Sequence, residues 1–115
     1  MAAGLPRELP VMTAVVESGL ENKRFPNGQA GFFRMREAIW NHDPYTGYPD
    51  RPELQMKWFV DQALAVQRRH QTTDPDFGHR SSDWVTWAAD VEQPVEHRRD
   101  DYRAGLKIAR RLLAD

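Results

Sequence analysis

Apolar side chains recur along much of the chain at the three- to four-residue spacing of helices. Residues 6–18 carry one such pattern, and Gly19, which follows directly, is of the residue type that most often ends a helix. Residues 52–70 carry the clearest pattern, because Pro52 suits a first helical turn and the charged side chains at both ends match the helix dipole. The apolar stripe of this second pattern consists of Met56, Phe59, Val60, Ala63, Leu64 and Val66.

Two further helices are predicted in the C-terminal half, with turns and loops between the helical segments. Ser82 is placed to cap a helix that Pro94 ends, and a last helix follows. Residues 31–41 are predicted as a short helix or turn and residues 42–51 as a loop. No stretch alternates long enough to predict a sheet, so the expected fold is all-α, with four or five helices in a single domain over residues 1–115. The apolar face of the last helix consists of Val95, Tyr102, Leu106, Ala109 and Leu113.

Composition narrows the possible classes of function. The chain has 115 residues, and its 16 Lys and Arg against 17 Asp and Glu leave a net charge of −1. A protein that binds a phosphate backbone is normally basic, so nucleic acid is not an expected partner. The absence of Cys excludes a disulfide scaffold, a thiolate zinc site and a Cys nucleophile. The four His residues show no paired metal spacing, so no metal is expected.

No segment of the chain is predicted to insert into a membrane. The longest apolar run near the start, residues 11–16, is too short to span a bilayer and lacks the features of a secretory signal peptide. If the protein acts outside its producing cell, it is therefore expected to be made in the cytoplasm and carried out by other means. Cell lysis, holin-type release or incorporation into a larger particle would each serve.

Glu17 is the strongest candidate for a reactive side chain. It lies in the last turn of an apolar helix, directly before Ser18 and Gly19. The C-terminal end of a helix carries partial negative charge, and apolar surroundings disfavour an ionised carboxylate, so this position suits a general acid. The alternative interpretation is a surface Glu near the end of a helix.

The order of motifs along the chain resembles that of the lysozyme-like soluble lytic transglycosylases. The motif Glu17-Ser18-Gly19-Leu20 is followed, eleven residues after Leu20, by Gly31-Phe32-Phe33-Arg34-Met35. The first motif resembles the Glu-Ser-Gly that ends a helix in this family, and the second its Gly-Leu-Met-Gln or Gly-Leu-Phe-Gln segment. The resemblance is closer to a group from phages, phage-like particles and actinobacterial genomes. It covers nearly the whole chain, at residues 9–20, 31–36, 39–41, 47–55 and 89–94.

This resemblance implies a small lysozyme-like domain that cleaves peptidoglycan between N-acetylmuramic acid and N-acetylglucosamine. In such enzymes a single Glu, here Glu17, acts as acid and base and leaves a 1,6-anhydro product, with no metal or organic cofactor. The implied partners are peptidoglycan glycan strands and the proteins of a phage or tail-like particle. A lysozyme-type muramidase is an alternative that needs a second carboxylate, for which Glu37, Asp43 and Asp50 are the nearest candidates in sequence.

Substrate contacts are expected close to the second motif and in the loop that follows it. Aromatic rings stack on the apolar faces of sugars, and Asn side chains bind their hydroxyl groups. Arg34 stands where the family has Gln, so it is expected to donate to the sugar, and it adds a positive charge near Glu17 if the two side chains converge. The alternative is that Arg34 pairs with Glu37 or another surface carboxylate away from Glu17. An alternative for Tyr48 is packing against the helix of residues 52–70. The expected substrate-binding residues are Phe33, Arg34, Asn41, Tyr45 and Tyr48.

Two rival hypotheses remain at this stage. The domain could have the same fold without turnover, as a structural or glycan-binding component of a phage tail or tail-like particle. It could also be a general helical interaction module in which the Glu-Ser-Gly motif is a coincidence. An open groove with Glu17 at its floor is expected for an enzyme and for a glycan-binding component of this fold. It is not expected for a general interaction module.

Overall fold

The computed structural model describes residues 4–92 and 99–114. The described part is mostly helical, with five helices and a small three-stranded sheet. The helices are α1 (Glu8–Ser18), α2 (Glu37–Trp40), α3 (Pro52–Gln71), α4 (Trp84–Glu92) and α5 (Arg99–Leu113). The strands are β1 (Arg24–Phe25), β2 (Gln29–Ala30) and β3 (Met35–Arg36). Short 3-10 turns lie at Pro26–Gly28, Tyr48–Asp50 and Ser81–Asp83.

The sheet corrects the expectation that the fold contains helices alone. Its strands are antiparallel in the order β1-β2-β3, with Arg24 opposite Ala30 and Ala30 opposite Met35. Each strand has only two residues, too few to show the alternation of polar and apolar positions by which strands are recognised in a sequence. The helical part of the prediction holds for the described residues, and the sheet is an addition to it.

Helix α1 ends where the sequence places its stop. Gly19 adopts the left-handed conformation at φ 65°, and its N–H donates to the carbonyl of Val15 at 3.1 Å. The N–H of Leu20 donates to the carbonyl of Ala14 at 3.2 Å. These bonds satisfy carbonyl groups that a helix end otherwise leaves open, and the bond from Gly19 to Val15 is that of an αL-type cap. Glu17 is thereby held in the last turn of the helix.

The core is built mainly where α1 packs on α5 and where α3 packs on α4. Gly105 of α5 permits a close approach to α1, since a Cβ atom at this position would lie 2.7 Å from Cγ2 of Val16. The indole Nε1 of Trp87 donates to the carbonyl of Ala63 at 2.8 Å and joins α4 to α3. Burial of each large apolar side chain contributes roughly 1.5–3 kcal/mol. The largest fully buried apolar side chains are Leu9, Met12, Met35, Tyr48, Phe59, Trp87 and Tyr102.

A polar cluster joins the helices of the C-terminal half. Oδ2 of Asp90 in α4 lies 2.6 Å from Nε2 of His70 in α3, and its Oδ1 accepts from Nη2 of Arg99 at 2.8 Å. Arg99 belongs to α5, so this cluster links α3, α4 and α5. The predicted positions of Pro94 and Val95 lie outside the described residues. No helix in residues 4–92 or 99–114 is long and apolar enough to cross a membrane.

Candidate functional site

A groove of about 450 Å³ runs between the sheet with α2 on one side and α3 with α4 on the other. We call it the Glu17 groove, because Glu17 at the end of α1 lines it. The sheet side contributes Gln29, Arg34, Met35 and Arg36, and α2 contributes Ile39 and Trp40. The opposite side consists of Trp58 and Gln62 from α3 and of Val91 and Glu92 from α4.

Glu17 is a buried carboxyl group that opens onto this groove. Glu17 is only 8% exposed, and the hydroxyl of Tyr102 donates a hydrogen bond to its Oε2. Tyr102 is itself fully buried on α5, so its ring cannot swing away from the carboxylate without breaking the core. Next to it, Ser18 Oγ donates to the carbonyl of Ala14 at 3.0 Å and stiffens the end of α1. The carboxyl group is therefore held in one orientation toward the groove.

Tyr102 is the site residue that sequence reasoning missed. The sequence places it on the apolar face of the last helix, and this is correct, but it says nothing about the contact of its hydroxyl. Glu17 and Tyr102 are 85 positions apart and meet only because α5 packs on α1. A Tyr among aliphatic residues on a buried face was the available indication, since a buried tyrosine hydroxyl usually needs a hydrogen-bond partner.

Aromatic side chains form the apolar part of the groove. The ring centroids of Trp40 and Trp58 are 5.5 Å apart in an edge-to-face arrangement. Trp58 is 4% exposed, and its indole N–H has no hydrogen-bond partner in the part of the chain that the structure describes. Ile39 is 57% exposed at the rim. The half-buried indole of Trp40 and the exposed aliphatic side chain of Ile39 together suit the apolar face of a sugar ring.

Arg34 reaches the groove from the turn before β3. Its Nε donates to Oε1 of Gln29 at 2.9 Å, and the centre of its guanidinium lies 4.5 Å from the centroid of the Phe25 ring. Its backbone is left-handed at φ 50°, which is uncommon for a side chain of this size. Arg34 and Glu17 thus line the same groove, and the guanidinium is anchored on the sheet.

Gln55 holds the turn that carries Arg34. It is fully buried, and its Oε1 accepts from the backbone N–H of Phe32 at 2.7 Å. Its Nε2 donates to Oδ1 of Asn22 at 3.0 Å and to the carbonyl of Tyr48 at 2.9 Å. Gly31, at φ +92°, leaves the room for this amide, since an added Cβ would lie 2.5 Å from Gln55 Oε1. The Gly-aromatic-aromatic motif is thereby docked on α3.

Four of the predicted substrate-binding residues lie outside the groove. Phe33 stacks on Phe59 with 4.8 Å between ring centroids, and the hydroxyl of Tyr48, which is 0% exposed, donates to the carbonyl of Met35 at 2.5 Å. Both side chains belong to the core, and their buried faces are not accessible to a sugar. For Tyr48 the alternative of internal packing is the correct one.

The other two lie in the loop between α2 and α3. The hydroxyl of Tyr45 donates to Oδ2 of Asp61 at 2.6 Å, and its ring is buried. Asn41 uses its Oδ1 to accept from the N–H of Gly47 at 2.7 Å. This asparagine therefore stabilises the loop, and neither side chain lines the Glu17 groove.

Both loop tyrosines stay neutral over the ordinary pH range. Burial raises the pKa of Tyr45 to about 12, and the hydrogen bond to Asp61 adds to the effect. Burial likewise raises the pKa of Tyr48 to about 12, with a further contribution from the negative charge of Glu37. Their hydroxyl groups therefore act as structural hydrogen-bond donors.

A second carboxylate does line the groove, but it is not among those predicted. Glu92 of α4 shares the groove with Glu17. Glu37 instead lies 3.5 Å from Arg24 in an ion pair, and Asp43 accepts a hydrogen bond from Thr46 at 2.9 Å. Asp50, the remaining candidate, is exposed and does not line the groove.

In this helical protein, the buried and oriented carboxyl group of Glu17 faces an open groove. Such a group can give a proton to a bound molecule and take one back. Residues 4–92 and 99–114 contain no group of three or more His, Asp and Glu side chains that could hold a metal ion. No protein-family model, curated protein or solved structure matches the chain.

Proposed function

We propose that the protein is a lytic transglycosylase that cleaves peptidoglycan with Glu17 as its single acid and base. The observation that carries this proposal is the buried carboxyl group of Glu17, hydrogen-bonded by Tyr102 and open to a groove. The resemblance of the motifs around Glu17 and Gly31 to the lytic transglycosylases supports the same reaction. Trp40 and Ile39 provide the apolar surface for the sugar rings.

The reaction needs only one protein group that gives and then accepts a proton. Protonated Glu17 donates its proton to the glycosidic oxygen while the bond between that oxygen and the anomeric carbon of N-acetylmuramic acid breaks. The carboxylate so formed accepts the proton of the 6-hydroxyl group of the same sugar. The oxygen of that hydroxyl bonds to the anomeric carbon and closes the 1,6-anhydro ring. Glu17 is then protonated again, and no water is consumed.

The main alternative within the same chemistry is hydrolysis, and Glu92 makes it testable. A hydrolase with water as nucleophile uses a second carboxylate in the same groove. Under our proposal, digests of purified cell-wall sacculi end in 1,6-anhydromuramic residues, which mass spectrometry identifies. Fragments that end in reducing muramic acid would contradict the proposal and indicate a muramidase in which Glu92 activates water.

The role of Glu17 itself is tested by Glu17→Gln, which keeps the size and hydrogen-bonding capacity of the side chain. We expect the rate of release of soluble fragments to fall at least 10²–10⁴-fold, the usual contribution of a general acid. Glu53→Gln is the matched control, because Glu53 is exposed on the first turn of α3 and does not line the groove. Activity of Glu17→Gln equal to that of the wild type would refute the proposal.

A second candidate function is glycan binding without turnover, in a structural component of a phage tail or tail-like particle. The observation that favours it is Arg34, whose positive charge shares the groove with Glu17. The sacculus assay separates the two functions, because a purely binding protein would sediment with sacculi and release no fragments. An active enzyme would reach the cell wall by one of the routes expected from the sequence: lysis, holin-type release or carriage in a particle.

A further inference from the structure

Two arginines line the sheet side of the Glu17 groove. Arg34 and Arg36 flank Met35 at β3, and both belong to the wall that faces α3 and α4. Neither forms an ion pair with any residue in 4–92 or 99–114, whereas Arg24 on β1, the other outer strand of the sheet, pairs with Glu37 at 3.5 Å. The groove therefore has positive charge on one wall and the carboxyl groups of Glu17 and Glu92 on the other elements.

Arg34 is oriented before any ligand arrives. Its Nε is bonded to Oε1 of Gln29, its plane is supported by the Phe25 ring, and its backbone N–H donates to the carbonyl of Gly31 at 3.1 Å. In the described part of the chain, its terminal Nη groups have no hydrogen-bond acceptor. One edge of the guanidinium thus anchors the side chain, and its Nη groups remain available to a bound molecule.

A fixed guanidinium is suited to a carboxylate rather than to a neutral hydroxyl group. Paired N–H donors match the two oxygens of a carboxylate, and charge-assisted hydrogen bonds of this kind are the stronger ones. Glycan strands of the bacterial cell wall offer carboxylates from two sources: the lactyl group of muramic acid where no peptide is attached, and the stem peptide.

We infer that Arg34 and Arg36 make the groove selective for glycans that carry free carboxylates. This inference rests on the proposed function, since it concerns the substrate class of the same groove. The carboxylate binds against the sheet, and this leaves the glycosidic bond on the side of Glu17. Gln29 acts as a positioning residue, because it holds the guanidinium of Arg34 in place.

The test measures binding rather than cleavage, so that it does not depend on turnover. Soluble glycan fragments are prepared with and without stem peptides, and half of each preparation has its carboxylates converted to amides. Calorimetric titration into the Glu17→Gln protein, whose fold is checked by circular dichroism, gives the four affinities. We expect native fragments to bind about tenfold or more tightly than amidated ones. The preparation in which amidation weakens binding more identifies the source of the carboxylate.

Variants in the same background assign the selectivity to the two arginines. In the double variant Arg34→Gln with Arg36→Gln, the ratio of the affinities for native and amidated fragments should fall to near one. Arg68→Gln is the matched control, because Arg68 is an exposed arginine that does not line the groove, and it should keep the full ratio. Gln29→Ala keeps both charges but releases Arg34, and it should reduce the ratio several-fold.

The outcomes distinguish this inference from the proposed function. Equal binding of native and amidated fragments by the parent protein would overturn the inference and leave the proposed function intact. Selectivity that survives in the double variant would show that other groups recognise the carboxylate and would also overturn it. If none of the fragments binds, while circular dichroism shows a folded protein, the proposed function fails as well.

Discussion

Tyr102→Phe tests whether the hydrogen bond to Glu17 is needed for catalysis. The substitution removes one hydroxyl group from the core and keeps the ring that fills it, so the packing of α5 on α1 is preserved. Its direct effect is the loss of the donor to Oε2 of Glu17. We expect the carboxyl group to become less well oriented toward the glycosidic oxygen, so that cleavage slows while binding of the glycan is retained.

The size of the effect follows from the burial of both groups. A hydrogen bond to a charged group contributes about 1.5–3 kcal/mol, and neither Tyr102 nor Glu17 is exposed enough for water to replace it fully. Loss of this free energy in the transition state corresponds to roughly a ten- to hundredfold fall in kcat. The same substitution should lower the free energy of unfolding by about 1–3 kcal/mol, which a domain with the usual 5–15 kcal/mol tolerates.

The assay is the rate of release of soluble fragments from sacculi, measured over a range of substrate concentrations. Tyr45→Phe is the matched control: it also removes a buried tyrosine hydroxyl, but one that is bonded to Asp61 outside the groove. We expect Tyr102→Phe to lower kcat with little change in KM, and Tyr45→Phe to lower stability alone. Equal kcat for the two variants would refute the view that Tyr102 positions Glu17.

Three further predictions concern the scaffold of the site. Gly31→Ala should destabilise the protein by about 1–3 kcal/mol more than Gly28→Ala in urea unfolding, because both glycines have positive φ but only the Cβ at position 31 would lie 2.5 Å from Gln55 Oε1. Gly105→Ala should lower the melting temperature, since its Cβ would lie 2.7 Å from a side-chain carbon of α1; an unchanged melting curve would contradict the close packing of α1 on α5. Burial raises the pKa of Tyr48 from 10.0 to about 12, so the unfolded chain loses this proton at lower pH than the folded protein. The contribution of Tyr48 to the free energy of unfolding should therefore be lost as the pH rises from 10.0 to about 12, and urea titrations of wild type and Tyr48→Phe across that range measure it.

The sequence alone determined most of the helical architecture, because helix ends depend on nearby residues. The helix predicted over residues 52–70 is observed as Pro52–Gln71, and the one predicted over residues 6–18 as Glu8–Ser18. Gly19 ends α1 through its own left-handed backbone, at φ 65°. The place of Glu17 in the last turn of α1 follows from the same local rule and needed no tertiary information.

The sequence did not determine which side chains share the groove with Glu17. Aromatic and amide side chains suit a sugar and a core equally well, so nothing local distinguished Tyr48, which is buried, from Trp40, which lines the groove. The two-residue strands likewise exist only because β1, β2 and β3 pair with one another.

Only the tertiary structure decided the partners of the candidate acid. Tyr102, 85 positions away in α5, donates to Glu17, and Glu92 of α4 shares the groove with it. Periodicity shows that a residue faces inward, but not which group it meets there. The packing of α5 on α1, which depends on Gly105, makes that choice and turns a glutamate at a helix end into an oriented carboxyl group at the wall of a groove.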